Sequence, residues 1–241
     1  MWQTIKDLIF AGLESLHGFT GDWGWAIVLL TVALRMAMVP LTVKQTKSMA
    51  ELQRIQPKIK QLQEKYKNDK EKLQEETLKF YQDNKVNPFG GCLPILLQMP
   101  VFIALFQVLG GTPEKPGNLL SYLDGLPGAE QAAAKAFGIV GWKILPDITL
   151  TPAAQFAAQG LVAAVPYLAL VALFGLSVWL PQQLMPGEAQ QKRTAMIMAV
   201  MMLYFGWISP AGVLLYWVTS SVIGLIQQQI TLKYYAQKEG A

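Results

Sequence analysis

The sequence predicts an all-α polytopic membrane protein with five transmembrane helices, a cytoplasmic helical hairpin and an N-terminal interfacial amphipathic helix. Of the 241 residues, 52% are hydrophobic and only 15% are charged, and the mean hydropathy is +0.29. This composition is typical of membrane proteins. Five apolar runs have about the length that a helix needs to cross a bilayer. A charged, helix-favouring segment separates the first two runs.

Residues 1–20 are predicted to form an amphipathic helix that lies on the membrane surface. Apolar side chains recur there every three or four residues, with charged side chains between them. The apolar positions are Trp2, Ile5, Leu8, Ile9, Leu13 and Leu16. The alternative is an ordinary surface helix packed on protein. No basic region precedes an apolar block and a small-residue cleavage site, so a cleaved signal peptide is not expected.

The membrane core is expected over residues 21–235. Its predicted spans are 24–43, 89–109, 161–180, 194–208 and 211–230. The fourth is shorter than the usual span of about 20 residues, and Ser209-Pro210 joins it to the fifth in a tight helical hairpin. Two further parts are expected outside the membrane, namely an extracytoplasmic segment (110–160) and a short cytoplasmic tail (231–241).

The distribution of basic residues predicts the orientation. Eleven of the 20 Lys and Arg residues lie in segment 44–88, and four more lie in 183–193 and after residue 230. The other side carries only Lys6, Lys115, Lys135 and Lys143. Because basic loops stay in the cytoplasm, we expect segment 44–88 and the C-terminus inside and the N-terminus outside. The net charge of +4 thus reflects topology, and nucleic-acid sequence recognition is not expected.

Segment 44–88 is predicted to be a helical hairpin. Its first arm has an apolar stripe at helical spacing, and Pro57 should kink that arm or remove one of its hydrogen bonds. Asn68 and Glu71 have the spacing of a capping box at the start of the second arm. Two interpretations stay open, a solvated coiled-coil spacer and a mobile arm that meets a partner or lipid headgroups.

Arg35 is the most unusual residue of the first predicted span. An arginine at a span centre costs about 2.5–3.5 kcal/mol on insertion scales, and no Asp or Glu falls inside any of the five predicted spans. We therefore expect Arg35 to face a bundle interior or a wet cavity, with water, backbone or a visiting molecule as its partner. A structural charge bound to helix carbonyls is the alternative.

Further polar and aromatic side chains in the spans are candidates to line a hydrophilic groove with Arg35. Thr31 lies four residues earlier and hence on the same helix face. The other candidates are Gln98, Gln107, Tyr216, Trp217 and Ser220. For the two glutamines, hydrogen bonding between helices is an equal alternative, and the two aromatic residues are also compatible with ordinary packing.

Residue counts argue against an enzyme. One cysteine and one histidine exclude an internal disulfide and a His/Cys metal cluster. Glycine-rich nucleotide motifs and HExxH are absent, so neither a cofactor nor a metal is expected. An intramembrane enzyme is ranked last, because Ser220, Ser221 and Cys92 have no partner base.

Several motifs together resemble the YidC/Oxa/Alb family of membrane-protein insertases, over about residues 20–235. The most specific is NPFGGCLPILLQMP at residues 87–100. The others are Thr31 and Arg35 before Val39-Pro40-Leu41, Gln56-Pro57-Lys58 in the hairpin, Leu214-Leu215-Tyr216-Trp217, Ser220, and Ile226-Gln227-Gln228-Gln229. The sequence departs from many members of this family in two ways: it lacks a large extracytoplasmic domain, and it lacks a lipid-modified N-terminal cysteine. Segment 110–160 is longer than expected, and its stretch Ala129–Val140 is predicted to be helical.

The resemblance implies an insertase and chaperone in the bacterial cytoplasmic membrane. Its groove would open to the cytoplasm and to lipid, and its partners would be nascent membrane proteins with acidic translocated segments. The insertase would act alone or beside the Sec translocon. Ribosome or signal recognition particle and receptor contacts are further expectations, although the tail, with only Lys233 and Lys238, is not a long basic one. A small-solute (anion) transporter or channel is the alternative, but the sequence has no internal repeat of the kind common in transporters.

Overall fold

The structure is a computed structural model that describes residues 2–84, 86, 93–112, 115–139, 142–184 and 189–239. The described helices are α1 (Trp2–Thr20), α2 (Trp23–Ala37), α3 (Val39–Lys65), α4 (Lys70–Asp83), α5 (Leu93–Leu109), α6 (Asn118–Asp124), α7 (Gly128–Ala134), α8 (Pro152–Leu184), α9 (Ala189–Ile208) and α10 (Ala211–Glu239). Two short antiparallel hairpins pair β1 (Gly111–Thr112) with β2 (Lys115–Pro116) and β3 (Phe137–Ile139) with β4 (Trp142–Leu145). The chain divides into two compact units, Met1–Ala37 with Pro100–Gly224 and Met38–Met99 with Leu225–Ala241.

Several described helices are apolar enough for a bilayer. Pro152–Leu180 and Ala211–Tyr235 each pass as a span by length and composition, and α2 with the first part of α3 passes as one broken span. Gln98–Leu109 and Met196–Ile208 are shorter apolar helices. A helical membrane protein with two or three candidate spans is therefore confirmed, whereas the count of five stays a prediction.

The first predicted span is not one continuous helix, because α2 and α3 are separated at Met38. Pro40 explains the break, since proline lacks an N–H and its ring clashes with the preceding turn inside a helix but fits the first turn of a new one. The Met38 carbonyl accepts the N–H of Thr42 at 2.9 Å as α3 begins. The predicted span 24–43 is therefore broken after Ala37, and Arg35 lies in the last turn of α2. Its depth in the membrane stays a prediction.

The core of the first unit contains a buried aromatic group around Trp23, whose side chain is 0% exposed. His17 stacks on Trp23 with the ring centroids 4.2 Å apart, and Tyr122 meets the same ring edge-on at 5.5 Å. Burial lowers the pKa of His17, while the charges of Asp22 and Glu14 oppose this shift. The group connects α1, α2 and α6.

Helix α1 packs on protein with one part of its surface and exposes apolar side chains with another. Leu13 is buried in the core and Phe10 packs against it, whereas Leu8 and Phe19 are 68% and 89% exposed. The predicted helix is thus confirmed. Helix α1 packs on α2, while other apolar side chains of α1 stay exposed. Its position on a membrane surface stays a prediction.

The segment between α5 and α8 folds onto the start of α2. The predicted helix Ala129–Val140 is wrong after Ala134, because α7 ends there and β3 follows over Phe137–Ile139. Val140 lies outside the described residues. The aromatic side chain of Phe137 favours a strand and packs where Gly24 leaves space, since a Cβ added at Gly24 would overlap the Phe137 ring. This contact needs the extended backbone of β3 to lie beside α2.

Helix α10 begins where the sequence predicts, after the Ser209-Pro210 turn. Its first N–H groups have no partners within the helix. The N–H of Ala211 donates to the Leu150 carbonyl at 3.0 Å, and the N–H of Gly212 donates to the Ile148 carbonyl at 2.7 Å. These bonds tie the start of α10 to the segment that precedes α8. Helix α8 is interrupted at Gly160, which has φ 76°, immediately before the predicted span 161–180.

In the second unit α4 packs against α3, and the cytoplasmic location of this helix pair stays a prediction. Pro57 lies inside α3, which continues on both sides of it. The N-cap of α4 is Asp69, whose carboxylate accepts the Lys72 N–H at 3.1 Å. The predicted capping box of Asn68 and Glu71 was therefore placed one residue too early.

Candidate functional site

Arg35 and Ser220 form the centre of the candidate site. The Arg35 Nε–H donates to the Ser220 hydroxyl oxygen at 2.8 Å, which joins α2 to α10 across 185 positions of the sequence. Ser220 is 4% exposed, and Arg35 is partly buried. The sequence placed both residues in one groove, and the structure brings their side chains into direct contact.

The end of α2 is a favourable place for a positive charge. The C-terminal carbonyls of a helix carry partial negative charge, which stabilises a nearby cation by about 0.3–1 kcal/mol. Arg35 lies in that last turn. The local sequence therefore offsets part of the free energy that burying Arg35 costs.

Thr31 lies one turn before Arg35 on α2 and is 1% exposed. Its hydroxyl donates to the Ile27 carbonyl at 2.7 Å, within its own helix. Because the Thr31 hydroxyl already donates its hydrogen within α2, Thr31 offers the site a hydrogen-bond acceptor and not a donor.

The two aromatic candidates on α10 are packed. Tyr216 is 2% exposed and belongs to the core. The Trp217 ring lies between Phe102 and Phe174, with ring centroids 5.1 and 5.3 Å away in edge-to-face arrangements. Such pairs are worth about 0.5–1.5 kcal/mol each beyond their buried area. Trp217 therefore packs α10 against α5 and α8.

The two glutamine candidates occupy different surroundings. The Gln107 side-chain oxygen accepts the Trp2 ring N–H at 2.9 Å, which ties α1 to the end of α5. Gln98 is partly buried and belongs to the second unit. In the hairpin, Gln56 is partly buried, and Pro57 and Lys58 are exposed on α3.

Gly224 also belongs to the site, although it was not among the residues predicted from the sequence. A Cβ added at Gly224 would lie 3.3 Å from the Arg35 Nη1 atom and 3.5 Å from Cζ and Nη2. Gly224 follows Ser220 by four residues and hence lies on the same face of α10. A glycine inside an apolar helix commonly marks a close approach by another group, and this signal could have identified it.

The motifs that meet at this site match a known family model. The model described as 60Kd inner membrane protein matches residues 15–238. The chain belongs to this family. The resemblance to the YidC insertases is confirmed as well, since the chain is 35% identical over 229 residues to the membrane protein insertase YidC of Pseudoalteromonas atlantica. Identity to the protein of the same name from Syntrophobacter fumaroxidans is also 35%, over 232 residues.

A solved YidC structure has the same fold. The crystal structure described as active YidC insertase with the first transmembrane domain resolved aligns with a TM-score of 0.66 and 26% identity, and the alignment covers 96% of this chain and 46% of that one. Against the Pseudoalteromonas and Syntrophobacter relatives the match covers 94% of this chain and 36% and 38% of those proteins. The chain thus spans little more than a third of these YidC relatives. Family membership and the apolar helices support a multi-pass protein of the bacterial inner membrane.

Proposed function

We propose that this protein is a membrane-protein insertase that also assists the folding of its substrates. The single observation that carries the proposal is the Arg35 guanidinium held by Ser220 between two apolar helices of a YidC-family chain. Arg35 acts as an electrostatic partner for an acidic segment that must cross the membrane. The names of the relatives describe insertases and not enzymes.

The physical task is to lower the free energy of an acidic residue in transit. An Asp at the bilayer centre costs roughly 2.5–3.5 kcal/mol on insertion scales. A positive charge about 4 Å away returns about 1 kcal/mol in a water-like medium and about 4 kcal/mol at an effective dielectric constant of 20. Arg35 therefore offsets a large part of the barrier. Release follows as the apolar part of the substrate moves into lipid, which removes apolar surface from water.

The orientation follows from the basic residues. We place the α3–α4 hairpin and the C-terminus in the cytoplasm and the N-terminus outside, in line with the excess of Lys and Arg in segment 44–88 and the positive-inside rule. In this arrangement the hairpin, with Gln56, Pro57 and Lys58, meets nascent chains, anionic headgroups or a targeting partner such as the ribosome or the signal recognition particle receptor. Small substrates use the protein alone, and larger ones use it beside the Sec translocon.

The proposal is tested with purified protein in liposomes and a small substrate whose translocated tail is acidic. Protease protection of the tail should rise above the level of empty liposomes. Arg35→Ala should reduce protection at least about fivefold, which corresponds to losing about 1 kcal/mol of attraction. Arg35→Lys should retain more activity than Arg35→Ala, because the positive charge matters more than the planar shape of the guanidinium.

Two controls separate the charge effect from general damage. Arg193 is an exposed arginine on α9, so Arg193→Ala should leave protection unchanged. A tail with Asn in place of Asp should be inserted equally by the wild-type and Arg35→Ala proteins. Equal activity of the three Arg35 proteins on the acidic tail would contradict the electrostatic role, and protection no better than with empty liposomes would contradict the insertase itself.

A further inference from the structure

The missing side chain of Gly224 makes room for the Arg35 guanidinium. The position that a Cβ would occupy is 3.3 Å from Nη1, 3.5 Å from Cζ and 3.5 Å from Nη2. If the glycine lay in the plane of the guanidinium, between its terminal nitrogens, Cζ would be farther away than both of them. The nearly equal distances show instead that Gly224 lies over the face of the group.

Gly224 and Ser220 hold two different parts of the same side chain. Ser220 accepts the hydrogen bond from Nε at 2.8 Å, and the space that a Cβ at position 224 would fill lies within 3.5 Å of the two terminal nitrogens and the carbon between them. The two residues are one helical turn apart on α10. An arginine side chain loses considerable rotamer freedom when it is held in one place, so a fixed position requires contacts at both ends of the group.

We propose that Gly224 is a positioning residue that sets where the Arg35 charge stands, and through it the preference for substrates with acidic segments. This inference rests on the proposed function. A carboxylate gains most from a guanidinium whose donors are already oriented. Any side chain at position 224 pushes the guanidinium away from α10 and changes the orientation of those donors.

A graded series of substitutions tests the proposal. Gly224→Ala brings a Cβ to 3.3 Å from Nη1, so the guanidinium must shift by a few tenths of an ångström, while Gly224→Val adds two methyl groups and must displace it further. Since the attraction falls with distance and with donor misalignment, insertion of the acidic tail should fall about twofold for Ala and about fivefold for Val. Insertion of the Asn tail should stay within about 1.5-fold of wild type for both variants.

The double variant distinguishes positioning from helix packing. In an Arg35→Ala background, Gly224→Val should have no further effect on the acidic tail, because residues that act through one contact are not additive. Gly212→Ala is the matched control on the same helix, since its Cβ would make ordinary contacts at 3.4 Å with Ile148 and Ile27. It should insert both tails as the wild type does.

A second measurement does not depend on insertion. The three arginines of the chain are Arg35, Arg54 and Arg193, and the latter two are exposed. With ¹⁵N-labelled arginine, one slowly exchanging Nε–H signal should therefore be present in detergent micelles, and it should be lost in Arg35→Ala. Its exchange should become at least about tenfold faster in Ser220→Ala and Gly224→Val, because the hydrogen bond of Nε is broken or strained.

The outcomes are separable. If Arg35→Ala impairs insertion of the acidic tail while Gly224→Val changes neither insertion nor exchange, the positioning role is refuted and the proposed function stands. If Gly224→Val reduces insertion of both tails equally, or adds its effect to that of Arg35→Ala, Gly224 has a packing role and the inference is again refuted. If exchange responds to Gly224→Val but insertion of the acidic tail never depends on Arg35, the geometry holds and the proposed function fails.

Discussion

Replacing Asp22 with alanine should detach the segment between α5 and α8 from the start of α2. The Asp22 carboxylate has two tasks in the structure. One oxygen accepts the N–H groups of Gly24 and Trp25 at 2.7 and 3.1 Å, which caps α2. The other oxygen accepts the N–H of Gly138 in β3 at 3.1 Å. A single side chain therefore holds the helix and the strand together.

The expected loss can be estimated from these bonds. Removing an N-cap costs about 1 kcal/mol, and removing a hydrogen bond to a charged group costs about 1.5–3 kcal/mol. Asp22→Ala should thus lower the free energy of unfolding by about 3 kcal/mol. For a chain of this size, each kcal/mol shifts the melting temperature by about 2–4 °C, so we expect a decrease of about 6–12 °C.

The assay is thermal unfolding in detergent micelles, monitored by tryptophan fluorescence, because Trp23 and Trp25 closely follow Asp22 in the sequence. Asp22→Asn should have an intermediate effect, because asparagine keeps one oxygen that caps the helix but has an NH2 group, which cannot accept the Gly138 N–H, in place of the second oxygen. Asp7, which is exposed and accepts a bond from Gln3 in the same helix, supplies the control, and Asp7→Ala should change stability by less than about 0.5 kcal/mol. A loss below about 1 kcal/mol for Asp22→Ala, or equal losses for Asn and Ala, would refute the reasoning.

Two further predictions concern pH and the hairpin. Burial against Trp23 lowers the pKa of His17, so the folded protein favours the neutral ring, and stability should fall as the pH drops below about 6.5, the ordinary histidine value. Melting temperatures at pH 7.5 and 5.5 should therefore differ less in His17→Gln than in the wild type, and an identical difference would exclude this role. Deletion of residues 50–84 should impair insertion while near-ultraviolet circular dichroism of the first unit stays native, because α3 and α4 belong to the second unit. Loss of folded protein would instead indicate a structural role for the hairpin.

Local patterns explain why most helices could be predicted. The start of α10 after Ser209-Pro210 and the two arms of the hairpin depend on periodicity and on proline, which act over a few residues. The break at Met38 also has a local cause, Pro40, but the unbroken apolar run concealed it. The predicted helix Ala129–Val140 failed at Phe137, because its strand is stabilised by a contact with Gly24, more than a hundred residues away in the sequence.

The candidate site was predictable only in part, for a similar reason. Arg35 and Ser220 were identified because polar side chains in apolar helices are costly unless they have partners. The same reasoning grouped Gln107 with them, whereas the structure gives Gln107 a partner in Trp2 of α1. Polarity indicates that a side chain needs a partner, but it does not say which one.

The sequence by itself determined the helical membrane class, the family and the presence of an arginine in an apolar segment without acidic residues, because these depend on composition, short-range spacing and motifs. Only the tertiary structure decided that Ser220 accepts the hydrogen bond of Arg35 and that Gly224 leaves space beside its guanidinium. The physical reason is that a hydrogen bond or a close approach between distant residues depends on how helices pack. A glycine inside an apolar helix indicates that another group approaches closely, but the sequence does not say which group this is.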